Sequence, residues 1–190
     1  MAGNARFVEM HPSHPHQDPA YLRSLVQRQK PIAAILGCAD SRVPAELVFD
    51  QGFGDLFVVR VAGNVMDEVV LASLEFAVGS LGVGLIVVLG HSRCGAVGAT
   101  IKAEALPSHL PELSRRIQPA VDRVRDEPGD LLENAIRMNA KMVAEQLREQ
   151  SEILREAVEV RALKIVSAYY DLQSGEVKFL DLPADLTSNE

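Results

Sequence analysis

Four stretches of the chain consist almost entirely of apolar residues. They span residues 32–36, 56–61, 85–89 and 163–169. Runs of this length without polar alternation are typical of strands that are buried on both faces of a sheet. A fifth, shorter run at 177–180 follows a turn-like Gln-Ser-Gly sequence and predicts an edge strand.

Segments with helical spacing of apolar residues separate these strands. We expect helices at 68–80, after Cys94, at 111–125 and at 131–160. Buried strands that alternate with helices predict an α/β fold, with a mostly parallel central β-sheet, helices on both faces and a C-terminal edge strand.

More detailed predictions are possible for one further helix and for the helix at 68–80. A further helix is expected to begin after Asp18, because aspartate suits an N-cap and Pro19 would then occupy the first helical position. In the helix at 68–80, small and apolar groups are expected on one face, formed by Val69, Val70, Ala72, Ser73, Phe76 and Ala77.

The composition limits the classes of protein to which the chain can belong. With 190 residues and 47% hydrophobic content, the chain suits a single domain over residues 1–190, whose polar, proline-dotted first 30 residues form an N-terminal arm. The net charge of -7 argues against nucleic acid or an anionic membrane as a partner. No apolar run has the length of a membrane helix, and the N-terminus lacks an apolar signal core, so we expect a cytoplasmic protein.

Two of the predicted strands run into residues that bind metals. The first is followed by Gly-Cys-Ala-Asp-Ser-Arg at 37–42 and the third by Gly-His-Ser-Arg-Cys-Gly at 90–95. If these strands are neighbours, Cys38, His91 and Cys94 converge at the carboxyl edge of the sheet. Three protein ligands with an open fourth position are typical of a catalytic zinc site.

Asp40 and Arg42 stand next to the first cysteine. Two positions apart, they would point the same way in an extended loop, and a forked pair with the guanidinium would keep the carboxylate ionised. Plainer interpretations remain open, because a buried free cysteine is usually a small hydrophobic residue and an Asp–Arg pair is usually a loop salt bridge. The histidines at positions 11, 14 and 16 also cluster, but neighbouring prolines extend the chain there, and we expect no metal site.

The two motifs resemble those of the β-class carbonic anhydrases. The resemblance continues through Val-Pro-Ala-Glu at 43–46, Gly-Asp-Leu-Phe-Val-Val-Arg at 54–60 and Ala-Gly-Asn at 62–64. It covers roughly residues 6–180 and so nearly the whole chain.

The resemblance implies one Zn²⁺ per subunit, held by Cys38, His91 and Cys94. It further implies the reversible hydration of carbon dioxide to bicarbonate and a proton, with zinc-bound hydroxide as the nucleophile and the Asp40–Arg42 dyad orienting it. In some members this aspartate binds zinc directly, so Asp40 is also a candidate ligand. The positions that would line the carbon dioxide pocket are Gln29, Phe57, Ala62, Phe76 and Gly95.

Partners and regulation follow from the same resemblance. Because family sites form at subunit contacts, we expect a homodimer or a larger homo-oligomer with contacts through residues 62–80 and through the strand of the second zinc motif at 85–89. Arg60 falls where some members have a regulatory bicarbonate site. Those members add a large aromatic residue where this chain has Ile35, so we expect a structural salt bridge for Arg60 instead.

Two other functions stay open at this point. One is a related zinc hydrolase that acts on carbonyl sulfide or carbon disulfide, as some family members do. The other is a non-catalytic scaffold that zinc stabilises. The pocket residues do not decide between the substrates, whereas the Asp40–Arg42 pair argues against a scaffold.

Overall fold

The computed structural model describes residues 1–102, 107–161 and 163–181. These residues contain one five-stranded sheet with the strand order β2-β1-β3-β4-β5. The strands are β1 Ala33–Cys38, β2 Leu56–Val61, β3 Leu85–His91, β4 Lys164–Tyr170 and β5 Val177–Phe179. The first four are parallel, and β5 runs antiparallel to β4 at the sheet edge. The predicted mostly parallel sheet with a C-terminal edge strand is confirmed.

Helices cover both faces of the sheet, but unequally. They are α1 Ala2–Val8, α2 Pro19–Ser24, α3 Ala45–Val48, α4 Glu68–Gly79, α5 Gly95–Lys102, α6 Leu110–Arg123, α7 Leu131–Gln150 and α8 Glu152–Val160. One face packs against α4, α7 and α8, whereas the other contacts the short helices α1 and α3. Within the described ranges, no helix combines the length and apolar character that crossing a membrane requires.

The helix predicted over 131–160 is in fact two helices, divided at Ser151. This residue has an extended backbone, with φ -114° and ψ 119°. Its buried hydroxyl accepts a hydrogen bond from the Leu154 N–H at 3.1 Å and donates to Glu75 Oε1 at 2.6 Å. The serine therefore caps α8 and ties the break to α4, which favours two helices over one.

Helix α4 turns only part of its predicted apolar face inward. Its buried side chains are Val70, Leu74, Ala77 and Val78. The side chains of Val69 and Phe76 are 74% and 51% exposed. An apolar strip therefore lies on the outer surface of this helix.

The cap predicted for α2 is confirmed. The Asp18 side chain accepts hydrogen bonds from the N–H groups of Ala20 and Tyr21, both at 2.9 Å, and Pro19 is the first helical residue. Helix α1, which the apolar spacing did not predict, packs Phe7 against the sheet.

Asp50 fastens the N-terminal arm to the domain. Its buried carboxylate accepts hydrogen bonds from Arg6 Nε, from the N–H and hydroxyl of Ser13, and from the His14 N–H. Burial alone would raise the pKa of Asp50, but these hydrogen bonds outweigh it and hold the pKa below its usual range. The arm is thus held by an ionised carboxylate.

Replacing Asp50 with asparagine is expected to lower the free energy of unfolding by about 1–3 kcal/mol at neutral pH, because a charged acceptor is lost. The pKa of Asp50 is lower in the folded state than in the unfolded chain, where it is about 3.9. The contribution of the carboxylate is therefore present above about pH 4 and is lost as the pH falls further.

Urea unfolding at several pH values measures this difference. The gap between wild type and Asp50→Asn should shrink below about pH 4. Asp18→Asn is a matched control, since asparagine is an equally good cap. A gap that stays constant down to about pH 3 would show that the carboxylate charge is not responsible.

Candidate metal centre

The chain leaves β1 and β3 toward opposite sides of the sheet. β1 connects to β2 on one side, whereas β3 connects to β4 on the other. The crevice at the carboxyl ends of two such strands is the usual ligand site of a parallel sheet. Cys38 is the last residue of β1 and His91 the last of β3, so each strand extends two residues beyond its predicted end. Cys94 directly precedes α5.

Three ligand atoms converge in this crevice. The sulfur atoms of Cys38 and Cys94 and a ring nitrogen of His91 lie within 4.8 Å of one another, and all three residues are buried. In the described part of the chain, this is the one group of three or more such residues with a metal-site geometry. The predicted convergence is confirmed.

The surroundings of His91 fit a metal ligand. Its Nδ1 hydrogen-bonds the Ser92 carbonyl oxygen at 2.9 Å, which directs the proton to Nδ1 and leaves the lone pair on Nε2. Nε2 is buried and has no hydrogen-bond partner among the described residues. Such an atom costs free energy unless something binds it, and two sulfurs with one imidazole nitrogen are a donor set typical of Zn²⁺.

The two thiols share one proton unequally. The Cys94 thiol hydrogen-bonds the Cys38 sulfur, which lowers the pKa of Cys38 and raises that of Cys94. Burial adds to the rise for Cys94, whereas hydrogen bonds from backbone N–H groups, among them that of Gly63, add to the fall for Cys38. Cys38 is therefore prepared as a thiolate, the form that binds metals.

Arg42 holds Asp40 in a fork beside the cluster. Arg42 Nε donates to Oδ1 at 2.9 Å, Nη2 donates to Oδ2 at 2.7 Å, and the Arg42 N–H adds a bond to Oδ1 at 2.9 Å. These hydrogen bonds hold the pKa of Asp40 well below its usual range. Asp40 Oδ2 lies 3.9 Å from His91 Nε2. The predicted forked pair is confirmed, and its catalytic role remains a prediction.

The salt bridge predicted for Arg60 is wrong. Among the described residues it forms no ion pair. Its Nε donates to the Cys38 carbonyl at 3.0 Å, and its Nη2 donates to the Asp40 carbonyl. A guanidinium has five donors, and backbone carbonyls satisfy them as carboxylates do. Arg60 thus holds the loop that carries the first ligand and the dyad.

The 3₁₀ turn Ala62–Asn64 touches the cluster, which sequence reasoning missed. The Gly63 N–H donates a hydrogen bond to the Cys38 sulfur at 3.2 Å. Gly63 has φ +68°, and a Cβ there would lie 2.8 Å from Ile117 Cδ1 and 3.2 Å from Ala96 Cβ. Only glycine fits this position. The Ala-Gly-Asn motif at 62–64 could be recognised in the sequence, but its contact with the Cys38 sulfur could not.

Two of the predicted pocket residues lie near the cluster. Gly95 directly follows Cys94, and a Cβ on it would meet no atom within 4 Å, so open space adjoins this ligand. Ala62 follows Val61, which is the register partner of Cys38 across β1 and β2. These positions leave room beside the ligands.

The other three predicted pocket residues lie elsewhere in the chain. Phe57 pairs with Ala34, four positions before Cys38, so at about 3.3 Å per residue it is roughly 13 Å from the cluster. The rings of Phe57 and Phe76 lie 6.3 Å apart. Gln29 precedes β1 at its amino end. The structure does not bring these residues to the metal cluster of the same chain.

Two of the N-terminal histidines, His11 and His16, make hydrogen bonds through their rings. His16 Nδ1 hydrogen-bonds Asp55 at 2.8 Å, and its ring stacks on Tyr21 with 4.0 Å between centroids. His11 Nδ1 hydrogen-bonds the Glu9 carbonyl at 2.6 Å. These contacts organise the arm.

Comparison with known proteins agrees with this geometry. The structure resembles that of the β-carbonic anhydrase CafA of the fungal pathogen Aspergillus fumigatus, with a TM-score of 0.78, 28% sequence identity, and coverage of 95% of this chain and 88% of that one. A family model described as "Carbonic anhydrase" matches residues 33–177, which include the ligand cluster and the Asp40–Arg42 pair. The chain belongs to the β-class carbonic anhydrases.

Two curated carbonic anhydrases extend the comparison. The carbonic anhydrase of Mycolicibacterium smegmatis is 41% identical over 180 residues, covering 93% of this chain and 87% of that protein. Carbonic anhydrase 2 of Mycobacterium tuberculosis is 41% identical over 183 residues, covering 94% and 88%. The predicted family and enzyme class are confirmed, and hydration of carbon dioxide is the general reaction of such enzymes.

Proposed function

We propose that the protein catalyses the zinc-dependent, reversible hydration of carbon dioxide to bicarbonate and a proton, with one Zn²⁺ per subunit. The observation that carries this proposal is the buried cluster of Cys38, His91 and Cys94 beside the Asp40–Arg42 fork. Zinc held there would act as a Lewis acid that lowers the pKa of water and makes hydroxide available near neutral pH.

Asp40 would orient the nucleophile. An ionised carboxylate only accepts hydrogen bonds, so Asp40 would accept the O–H of the attacking hydroxide and leave a lone pair directed at the carbon of carbon dioxide. Both carboxylate oxygens are engaged by Arg42. Turning Asp40 toward the ligands would break two charge-assisted hydrogen bonds. This supports an orienting role rather than that of a fourth ligand.

The surroundings suit an apolar substrate. Cys38 and Cys94 belong to a buried cluster with Val65, Val97 and Ile117. Carbon dioxide carries no charge and requires no ionic partner, so apolar walls beside the ligands suit it.

The experiment that tests the proposal is stopped-flow measurement of carbon dioxide hydration by the purified enzyme. The enzyme is expected to be active with zinc. Its activity should be lost after chelation and should recover when zinc is returned. Parallel assays with carbonyl sulfide and carbon disulfide separate the alternative substrates. A zinc-loaded enzyme that hydrolyses these compounds but does not hydrate carbon dioxide would overturn the proposal.

The rate is expected to rise toward alkaline pH. Two thiolates neutralise the two positive charges of zinc, whereas three imidazoles do not, so the controlling group should be less acidic than in a three-histidine site. Asp40 is not that group, because Arg42 holds its pKa far below the assay range. A pH–rate profile that is flat from about pH 6 to about pH 9 would contradict this expectation.

The proposal includes a homo-oligomer. The exposed strip of Val69 and Phe76 lies on a helix next to the edge strand β2, and this supports a contact between copies through residues 62–80. Gln29, Phe57 and Phe76 lie away from the metal cluster of their own chain. Such a contact would also place them near the metal cluster of the second copy.

The substitution Val69→Asp is expected to dissociate the oligomer. Burying an unpaired charge in the contact costs several kcal/mol, which raises the dissociation constant by about 100-fold or more. Sedimentation velocity over a range of concentrations measures this. Val160→Asp on α8 is the matched control, since Val160 is 73% exposed. If Val69→Asp and Val160→Asp sediment alike, residues 62–80 do not form the contact.

A further inference from the structure

Asn139 is a polar residue on an apolar face of a helix. It lies in α7, is 2% exposed, and stands among the buried side chains of Ala135, Ile136, Ala140 and Val143. Burying an amide costs free energy unless it is hydrogen-bonded, and asparagine is a weaker helix former than alanine or leucine. Neither apolar packing nor helix propensity therefore explains why an asparagine occupies this position.

The side chain of Asn139 reaches the turn beside the metal cluster. Its Nδ2 donates to the Gly63 carbonyl oxygen at 2.9 Å, across 76 positions of sequence. The hydrogen bond fixes the peptide group that follows Gly63. This is a tertiary contact between the longest described helix and the turn Ala62–Asn64.

Gly63 passes this constraint to the first metal ligand. Its φ is +68°, and Ile117 and Ala96 leave no room for a side chain at this position. With the carbonyl side held by Asn139, the N–H side is directed at the Cys38 sulfur, 3.2 Å away. A hydrogen bond to the sulfur restricts the orientation of the Cys38 side chain, so the sulfur keeps a fixed position from which to bind a metal.

We propose that Asn139 is a positioning residue of the metal centre. Through Gly63 it aims a backbone N–H at the Cys38 sulfur and thereby strengthens zinc binding. This inference rests on the proposed function, because it requires Cys38 to be a zinc ligand. Outer-shell partners of this kind orient ligands and tune metal affinity.

Asn139→Leu tests the proposal. Leucine is nearly isosteric with asparagine and suits the apolar surroundings, but it cannot donate to Gly63. Competition with a chromophoric chelator is expected to show a zinc dissociation constant about 10–100-fold higher than that of the wild type. In the cobalt-substituted protein, the thiolate-to-metal absorption band should shift as well.

Asn4→Leu is the matched control. Asn4 is also buried, at 4% exposed, and its Nδ2 donates to the carbonyls of Val48 and Gly175, away from the ligands. This variant should lose stability in urea while keeping wild-type zinc affinity and the wild-type cobalt spectrum. Asn139→Ser, too short to reach Gly63, should reproduce the affinity loss of Asn139→Leu.

Each outcome has a distinct meaning. Wild-type affinity in both Asn139 variants overturns the inference while leaving the proposed function intact. Failure of both to fold where Asn4→Leu folds also overturns it, because Asn139 would then act on the fold and not on the ligand. If the wild-type protein itself does not bind zinc, the proposed function fails first.

Discussion

Replacing Cys38 with serine is expected to remove zinc from the protein and to abolish carbon dioxide hydration. A serine hydroxyl stays protonated at neutral pH, so one of the three ligands is lost outright. Because even outer-shell changes cost 10–100-fold, we expect zinc affinity to fall by more than about 100-fold. Metal analysis of the purified protein and stopped-flow hydration measure the two effects.

Ala39→Ser is the matched control for this variant. It places a serine one position further along, at an exposed residue, and leaves all three ligands in place. Zinc content and activity should match the wild type. Full zinc occupancy in Cys38→Ser would show that the ligand set is wrong.

Replacing Asp40 with asparagine is expected to lower the hydration rate by about 10²–10³-fold while zinc is retained. The amide cannot accept both N–H donors of Arg42 as the carboxylate does, and it no longer presents a charged acceptor to the nucleophile. The three ligands are untouched, so the zinc content should stay at one per subunit.

Asp18→Asn controls for the same chemical change far from the centre. Its side chain caps α2 in the N-terminal arm, and asparagine caps equally well, so activity should be unaffected. Loss of zinc from Asp40→Asn would assign Asp40 to the ligands rather than to the dyad. Unchanged activity would remove it from the mechanism.

The strands were predictable because each is a largely apolar run, and such runs have few alternatives in a chain of this size. Small errors in the predicted ends of the strands matter here, because the ligands lie at those ends. Ile32 was expected in β1 and is 65% exposed, while Cys38 was expected just after the strand and is its last residue. Strand ends depend on pairing with neighbours, which the pattern of one segment does not contain.

The division at Ser151 could not be read from apolar spacing, which continues across it. The break is stabilised by the hydroxyl of Ser151 and by Glu75 from another helix. The exposed positions of Val69 and Phe76 have a similar origin, because spacing shows that a helix has an apolar face but not which neighbour covers it.

The ligands and the Asp40–Arg42 fork were within reach of sequence reasoning, because each is a short motif next to a strand. The hydrogen bonds that hold them were not. Arg60 and Gly63 act on Cys38 through backbone groups, which every residue has, and their partners become visible only in three dimensions. The sequence contains one indication that Asn139 has a specific role: it places an amide at a position where the spacing of α7 requires an apolar residue.

The placement of the ligands at the ends of β1 and β3 has a consequence for folding. These strands pair directly, yet β2 and α4 lie between them in the chain, so their pairing closes a long loop. Closing such loops is the slow part of building a parallel sheet. Zinc held as proposed would therefore find its three ligands together only after the strands have been ordered, and it would stabilise folded chains by mass action without guiding their assembly. The metal content of a preparation would then report the fraction of chains that folded correctly.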